Sequence, residues 1–300
     1  ECIFTDTVNT NVAVLANLPH TSTLFAYVKS NCNNSGTWST ALEFNSGYEV
    51  CKLPYSENFQ EVDNDQLPLA WNRYDISLRV APRAQYSAFA VDVVNQKPDT
   101  LHSLYTTLYK AKDAANIYRW VVGPEIYVSE KSALAFDVKF SNSSILKTLS
   151  EFSVLISTDN GKTWASEDQT KFANAISADY RFVDYLDVYK RVFIELDKYV
   201  GDTIRFAFYT KSLDNNTTKV NIDNITIKPT QVYDYTDTGF EKRDYEGYGF
   251  EFDYTEMNPG VKEAKRYAAG SDLTINDSII NIDLTVLPIL RTDIEDMMCP

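Results

Sequence analysis

Short segments in which apolar and polar residues alternate recur along the chain, and this period of two predicts β-strands rather than helices. One such segment places Phe152, Val154 and Ile156 on one side of a predicted strand. The clearest predicted strands are Val12 to Ala16, Leu24 to Lys29, Ala133 to Phe140, Phe152 to Ser157, Val192 to Leu196, Thr203 to Thr210, Lys219 to Ile227 and Ile280 to Val286. Long stretches with helical periodicity are scarce, so the sequence predicts an all-β protein whose strands pack as a sandwich.

The strand that ends at Ser157 leads into a predicted hairpin turn. The turn fits the Asp-box pattern Ser-x-Asp-x-Gly-x-Thr-Trp at each defined position, which are Ser157, Asp159, Gly161, Thr163 and Trp164. We expect the Asp159 carboxylate to accept N–H groups of the turn, and Gly161 to take the left-handed conformation. Trp164 is expected to fold back as an apolar plug. The pattern therefore predicts a structural lock rather than a catalytic aspartate.

The charge balance excludes two classes of partner. Forty-two acidic against 28 basic residues give a formal charge of −14, which disfavours contact with phosphate backbones and anionic headgroups. Nucleic acid is therefore not expected as a partner. No run of about 18 apolar residues occurs, so membrane insertion is not expected either. A chain of 300 residues predicts two or three domains.

The four cysteines, Cys2, Cys32, Cys51 and Cys299, lack the Cys-x-x-Cys spacing of a zinc or redox site. Cys32 and Cys51 flank a short hairpin-like stretch, and we predict that they form a disulfide. Such a bridge would stabilise the fold by roughly 3 kcal/mol in the chain-entropy model. It would also indicate an oxidising compartment. Pairing of Cys2 with Cys299 stays open.

Residues 1–50 contain the segments 18–32, 37–40 and 42–44, which resemble the late strands of a fibronectin type III domain. The form is one common in secreted proteins of the Bacteroidetes group. Leu24 stands at the position of the tyrosine corner, so the hydrogen bond of that corner is expected to be absent or displaced. The early strands of such a domain are missing, and the resemblance therefore implies a piece of a longer chain.

Residues 51–228 resemble the choice-of-anchor J or cleaved-adhesin domain, a jelly-roll sandwich related to MAM domains. This family occurs in Bacteroidetes adhesins, including the haemagglutinin regions of gingipains. Four blocks in the family's order carry the resemblance: 53–59 with 67–68 and Trp71; 122–126 with 133–137; the Asp-box; and 196–206 with 221–225. The resemblance implies a jelly roll with an adhesive rather than a catalytic role.

Calcium is the ligand that the resemblance implies. In related jelly rolls an acidic residue near the first strand meets one in the last strand, and Glu57 and Asp223 match those positions. Asp137 and Asn224 are weaker candidate ligands, since Asp137 could instead be an outward-facing strand residue. The calcium would be structural. The alternative is a carboxylate pair or a hydrogen-bonded turn that binds no metal.

Catalytic motifs are absent from the sequence. The chain has only two histidines, His20 and His102, and no Gly-x-Ser-x-Gly elbow, His-Glu-x-x-His motif, P-loop or dinucleotide fingerprint. A glycosidase needs only two suitably spaced carboxylates, so that activity stays open. Sialidases carry several Asp-boxes and an arginine cluster, whereas this chain has one box.

Aromatic side chains offer candidate sugar-binding surfaces. Among Trp71, Trp120 and Trp164, we select Trp120 as the ligand-binding candidate, because the other two occupy motif positions typical of core or hairpin plugs. Residues 229–300 form a predicted further β region of no recognised family. It is rich in tyrosines, which either pack half-buried on a sheet or bind a partner.

Together these features predict an extracellular or cell-surface adhesion segment that is not an enzyme and is stabilised by structural calcium. Its partner is expected to be a host protein, a neighbouring surface protein or a glycan. The alternative is a carbohydrate-binding or accessory module of a secreted hydrolase. A third interpretation, a glycoside hydrolase, has the least support.

Overall fold

The structure, a computed structural model, describes residues 5, 7–10, 12–13, 15, 18–19, 21–30, 36–74, 89–95, 100–108, 117–141, 151–164, 187–212 and 218–289. In these ranges the regular structure is almost entirely β, and we number the strands β1 (Thr23–Ala26), β2 (Leu42–Asn45), β3 (Tyr55–Glu57), β4 (Asn72–Tyr74), β5 (Ala90–Asn95), β6 (Thr100–Leu108), β7 (Ile117–Val122), β8 (Ile126–Tyr127), β9 (Ser132–Ser141), β10 (Glu151–Ser157), β11 (Lys190–Glu195), β12 (Thr203–Ser212), β13 (Thr218–Phe240), β14 (Tyr245–Gly247), β15 (Phe250–Phe252), β16 (Gly260–Ala268) and β17 (Asp277–Leu287). The described helical structure is one 3₁₀ turn at Asp197–Tyr199. No helix in these ranges is long and apolar enough to cross a bilayer. The predicted all-β class is confirmed.

Two sheets form the central sandwich. One has the order β10-β12-β7-β4, with β8 also paired to β12. In the other, β9 lies between β11 and β13, while β3 and β6 pair with successive parts of β13, and β5 pairs with β6. The main core lies between the two sheets.

Alternation along β9 shows why this sandwich forms. Leu134, Phe136 and Val138 are buried in the core, whereas Asp137 and Lys139 lie on the outer face of the sheet. Side chains two apart along a strand share one face, so the inward apolar residues of β9 are buried against the opposite sheet.

The C-terminal region continues the sandwich rather than starting a separate sheet. The 23-residue strand β13 runs past Lys228 and then pairs in parallel with β17, which in turn pairs with β16. The predicted domain boundary between residues 228 and 229 therefore falls inside a strand. The hairpin β14–β15 contributes Phe250 and Phe252 to a separate apolar cluster with residues of β17.

The N-terminal region contains the antiparallel pair β1–β2 and a bridge between Lys29 and Trp38. The side chains of Phe25, Trp38 and Leu42 are exposed. Strand β1 overlaps only the first part of the strand predicted from Leu24 to Lys29. In the stretch predicted as a strand from Val12 to Ala16, the described residues are not in a strand. The fibronectin type III resemblance stays a prediction.

Cys51 carries a free thiol in the structure, whereas its predicted disulfide partner Cys32 lies outside the described residues. The main chain of Cys51 pairs with Ile126, and its side chain packs against the core of the sandwich. Burial raises the pKa of the thiol, with a further contribution from Glu49. Cys2, Cys32 and Cys299 lie outside the described residues.

Candidate functional site

The Asp-box loop is a closed network of hydrogen bonds. The Asp159 carboxylate accepts the Thr163 N–H at 2.9 Å, the Thr163 hydroxyl at 2.7 Å and the Ser157 hydroxyl at 2.7 Å. These donors lower the pKa of Asp159 to about 2. Gly161 has a φ of +77°, and a Cβ there would lie 3.2 Å from the Trp164 ring. Each carboxylate oxygen is therefore committed to holding the turn.

Trp120 is buried, and the proposal that it stacks on a sugar is therefore wrong for this structure. Only 5% of the residue is exposed. Its ring lies 4.7 Å from that of Tyr209 and 5.8 Å from that of Trp164, which the Asp-box loop brings onto the outer face of the sheet. Because both neighbours cover the indole, no ring face is left for a ligand.

Acidic side chains meet where β13 changes partners. Strand β13 pairs with β6 up to Ile222 and with β3 from Ile225, and a bulge lies between these two ladders. Asp223 sits at the bulge, directly across from Asp137 of β9. Asn224 follows with a φ of +49°. β-Bulges re-aim side chains in this way.

The carboxylates at this junction differ in their surroundings. Burial raises the pKa of Asp223 to about 6, and the negative charges of Asp137 and Glu57 add to the effect. The Asn224 N–H donates to Asp223 at 2.7 Å, and the Phe59 N–H donates to Glu57 at 2.7 Å. Burial also raises the pKa of Glu57. Both carboxylates thus carry a charge that their surroundings compensate only in part.

Asp137 is already paired. Its oxygens accept the Asn224 side-chain amide at 2.8 Å and the Arg191 guanidinium at 3.4 Å. Arg191 also donates to the main-chain oxygen of Asn224 and to the Thr226 hydroxyl. Arg191 could not be identified from the sequence, because it lies on β11 and reaches Asp137 only through the pairing of β11 with β9.

The four predicted metal-ligating residues therefore come together, but they do not form a closed cage. In the part of the chain that the structure describes, no three Asp, Glu, His or Cys side chains are placed to hold a metal ion. Glu57 and Asp223 fit a hard cation, because they are partly buried carboxylates whose charge is compensated only in part. Asp137 and Asn224 fit less well, since Arg191 already donates to one oxygen of Asp137 and to the main-chain oxygen of Asn224.

His102 contacts the main chain of another segment. The Nδ1 atom of His102 lies 3.0 Å from the Val62 carbonyl oxygen. Among the described residues, this ring nitrogen therefore contacts the main chain rather than a hydroxyl or thiol that it could activate. His20 lies outside the described residues.

No family model matches the sequence, and neither does any curated protein. Several solved structures are similar to it. A cleaved adhesin domain of Lys-gingipain from Porphyromonas gingivalis is 12% identical, covering 59% of this chain and 98% of that domain, with a TM-score of 0.37. A second cleaved adhesin domain of the same gingipain is 14% identical over 58% of this chain and 96% of its own, with a TM-score of 0.36. The family 11 carbohydrate-binding module of a cellulosomal cellulase from Clostridium thermocellum is 12% identical over 59% of this chain and 94% of its own, with a TM-score of 0.31.

Proposed function

We propose that this chain is an extracellular, non-catalytic attachment segment that binds a surface protein or a glycan. The observation that carries the proposal is that three side chains of catalytic residue types make structural contacts instead. Asp159 holds a turn, His102 contacts a main-chain carbonyl and Cys51 packs against the core. None of these three is placed to activate a nucleophile or transfer a proton to a substrate.

The continuity of the fold supports an attachment role. Strand β13 runs from the sandwich into the C-terminal region, where it pairs with β17, so a load applied to one region is transmitted to the other through the main chain. The four blocks that resemble cleaved-adhesin domains, between residues 53 and 225, lie on this same sandwich. An adhesive segment needs such a rigid body to present its binding surface.

A second function, a glycan-binding or accessory module of a secreted hydrolase, has one observation in its favour. Tyr248 of the C-terminal region is half exposed and stacks on Tyr235, with the two ring centres 4.1 Å apart. An ordered aromatic ring with an open face suits a sugar. Glycan binding is compatible with both functions. They differ in the kind of protein to which the segment is joined.

We further propose that structural calcium binds at the bulge of β13. Glu57 and Asp223 would hold it together with nearby main-chain oxygens, and Asp137 and Asn224 would support it from the outer side. Two partly buried carboxylates with raised pKa values repel each other, and a divalent cation would neutralise both. Such an ion would join the end of β3 to the bulge, which lies between two successive partners of β13.

Binding and turnover assays on the full chain test the main proposal. We expect saturable binding to at least one probe among immobilised oligosaccharides, fibronectin, laminin and collagen, with no hydrolysis of chromogenic glycosides. Saturable hydrolysis of such a glycoside would overturn the non-catalytic role. Absence of binding to both the oligosaccharides and the proteins would overturn the attachment role.

A further inference from the structure

The turn between β14 and β15 contains a residue that fits it poorly. Gly247 pairs with Phe250, so only Tyr248 and Gly249 connect the strands, and both have positive φ, +53° and +78°. Two-residue turns of this kind favour Asn-Gly, because asparagine and glycine tolerate the left-handed region. A bulky aromatic residue at the first position is an outlier that costs free energy. Such outliers are expected where the side chain has a use outside the turn.

The Tyr248 side chain is ordered and accessible at the same time. Its ring lies 4.1 Å from that of Tyr235, at an angle of 19°, yet 45% of the residue is exposed. One ring face therefore packs on Tyr235, while the opposite face is open to solvent. Tyr233 lies two residues before Tyr235, on the same side of β13, and is 37% exposed. We call Tyr233, Tyr235 and Tyr248 the tyrosine platform.

A hydrogen-bond donor borders this platform. The Nε of Arg266 donates to the main-chain oxygen of Tyr248 at 3.1 Å. Its guanidinium carbon lies so close to Gly249 that a Cβ there would be 2.4 Å away. Arg266 also lies in register with Ile280 and Tyr233 across β16, β17 and β13. Its Nη groups make no hydrogen bond to the described residues, and they can donate to a ligand.

We propose that the tyrosine platform and Arg266 form a carbohydrate-binding site, in which a pyranose ring stacks on the open face of Tyr248. The proposal rests on the attachment function above and names its ligand. A pyranose has an apolar C–H face and a rim of hydroxyl groups. The ring of Tyr248 complements the face, and the guanidinium of Arg266 complements the rim.

The size of the platform favours a sugar over a protein. A tyrosine buries at most about 250 Å², so the exposed parts of Tyr233 and Tyr248 together offer only about 200 Å². A standard protein partner buries about 800 Å². The exposed area of the platform is therefore of the order that a single sugar ring can cover.

The turn strain makes one substitution diagnostic. Replacing Tyr248→Asn gives the turn its preferred sequence and removes the stacking ring. We expect the melting temperature of the full chain to stay equal or to rise, while the affinity for the bound oligosaccharide falls about tenfold, as expected for loss of a stacked ring. Arg266→Lys should weaken binding as well, because the planar donor pair is lost. Tyr254→Asn is the matched control, since Tyr254 is also exposed in a turn but lies off the platform.

The experiment uses the full chain and an array of β-linked glucose, galactose and N-acetylglucosamine oligosaccharides, with titration calorimetry for the sugars that bind. The site is supported if Tyr248→Asn abolishes glycan binding and Tyr254→Asn does not. Glycan binding that survives Tyr248→Asn overturns the platform but leaves the attachment function intact. Binding only to the protein probes would likewise overturn the platform and leave the attachment function intact. Binding to neither glycans nor proteins would overturn both the platform and the attachment function. A Tyr248→Asn protein that melts several degrees lower would show that the ring holds the hairpin, which also overturns the site.

Discussion

The Nζ atom of Lys228 lies 2.8 Å from Oδ1 of Asp277, and both side chains are almost fully buried, with 3% and 1% exposed. The same ammonium donates to the main-chain oxygens of Gly270, Asp272 and Ile275. Lys228 lies on the sandwich part of β13, whereas Asp277 begins β17. This ion pair therefore joins the start of β17 to the sandwich part of β13, next to the point where the two strands begin to pair.

The substitution Lys228→Met should destabilise the protein by about 3–5 kcal/mol, because it leaves the buried carboxylate of Asp277 without its counter-ion and three carbonyl oxygens without their donor. Urea unfolding followed by tryptophan fluorescence measures the effect. Lys265→Met serves as the control, since the pair of Lys265 with Glu195 is partly exposed and should contribute under about 1 kcal/mol. Equal small losses for both variants would contradict a structural role for the buried pair.

Asp159 should make the stability of the protein depend on pH in the acid range. Its pKa is lowered to about 2 by hydrogen bonds, below the value of about 4 expected in the unfolded chain. The folded state therefore holds its proton less tightly, so the stabilisation is complete above about pH 4 and disappears as the pH falls through about 2. Asp159→Asn should melt lower than wild type at pH 7, and the difference should shrink towards pH 2. Glu130→Gln, at an exposed position, is the control. A difference independent of pH would contradict this role.

The sequence predicts the local features of this protein better than those that depend on distant residues. The hydrogen bonds of Asp159 are local, because the donors Ser157 and Thr163 lie within four residues of it. The burial of Trp120 was not predictable, since alternation cannot tell whether a loop covers the outer face of a sheet. The length of β13 was missed for a similar reason. Lys228 and Pro229 look like a strand end, but Asp277 neutralises the lysine and Pro229 still pairs with Ser132.

Asp223→Asn should have opposite effects with and without calcium. Without calcium at pH 7, the variant should melt higher than wild type, because it removes a charge whose burial raises the pKa of the group to about 6. Calcium should raise the melting temperature of wild type but not that of the variant. Scanning calorimetry with calcium and with a chelator measures both effects, with Glu130→Gln as the control. Identical melting of wild type in the two conditions would contradict the calcium proposal.

Trp120→Ala should affect stability and leave ligand binding unchanged. Loss of a buried tryptophan costs about 3–5 kcal/mol, and the cavity would also expose the rings of Tyr209 and Trp164. Glycan affinity should not change while the variant is folded, because the indole has no open face. Tyr248, the proposed ligand contact, lies in the turn that follows β14. Urea unfolding and oligosaccharide titration on the same preparation, well below the unfolding midpoint, separate the two effects. Tyr248→Asn should give the reverse result, with binding lost and stability kept. A folded Trp120→Ala protein that no longer binds its oligosaccharide would place the ligand on the sandwich instead.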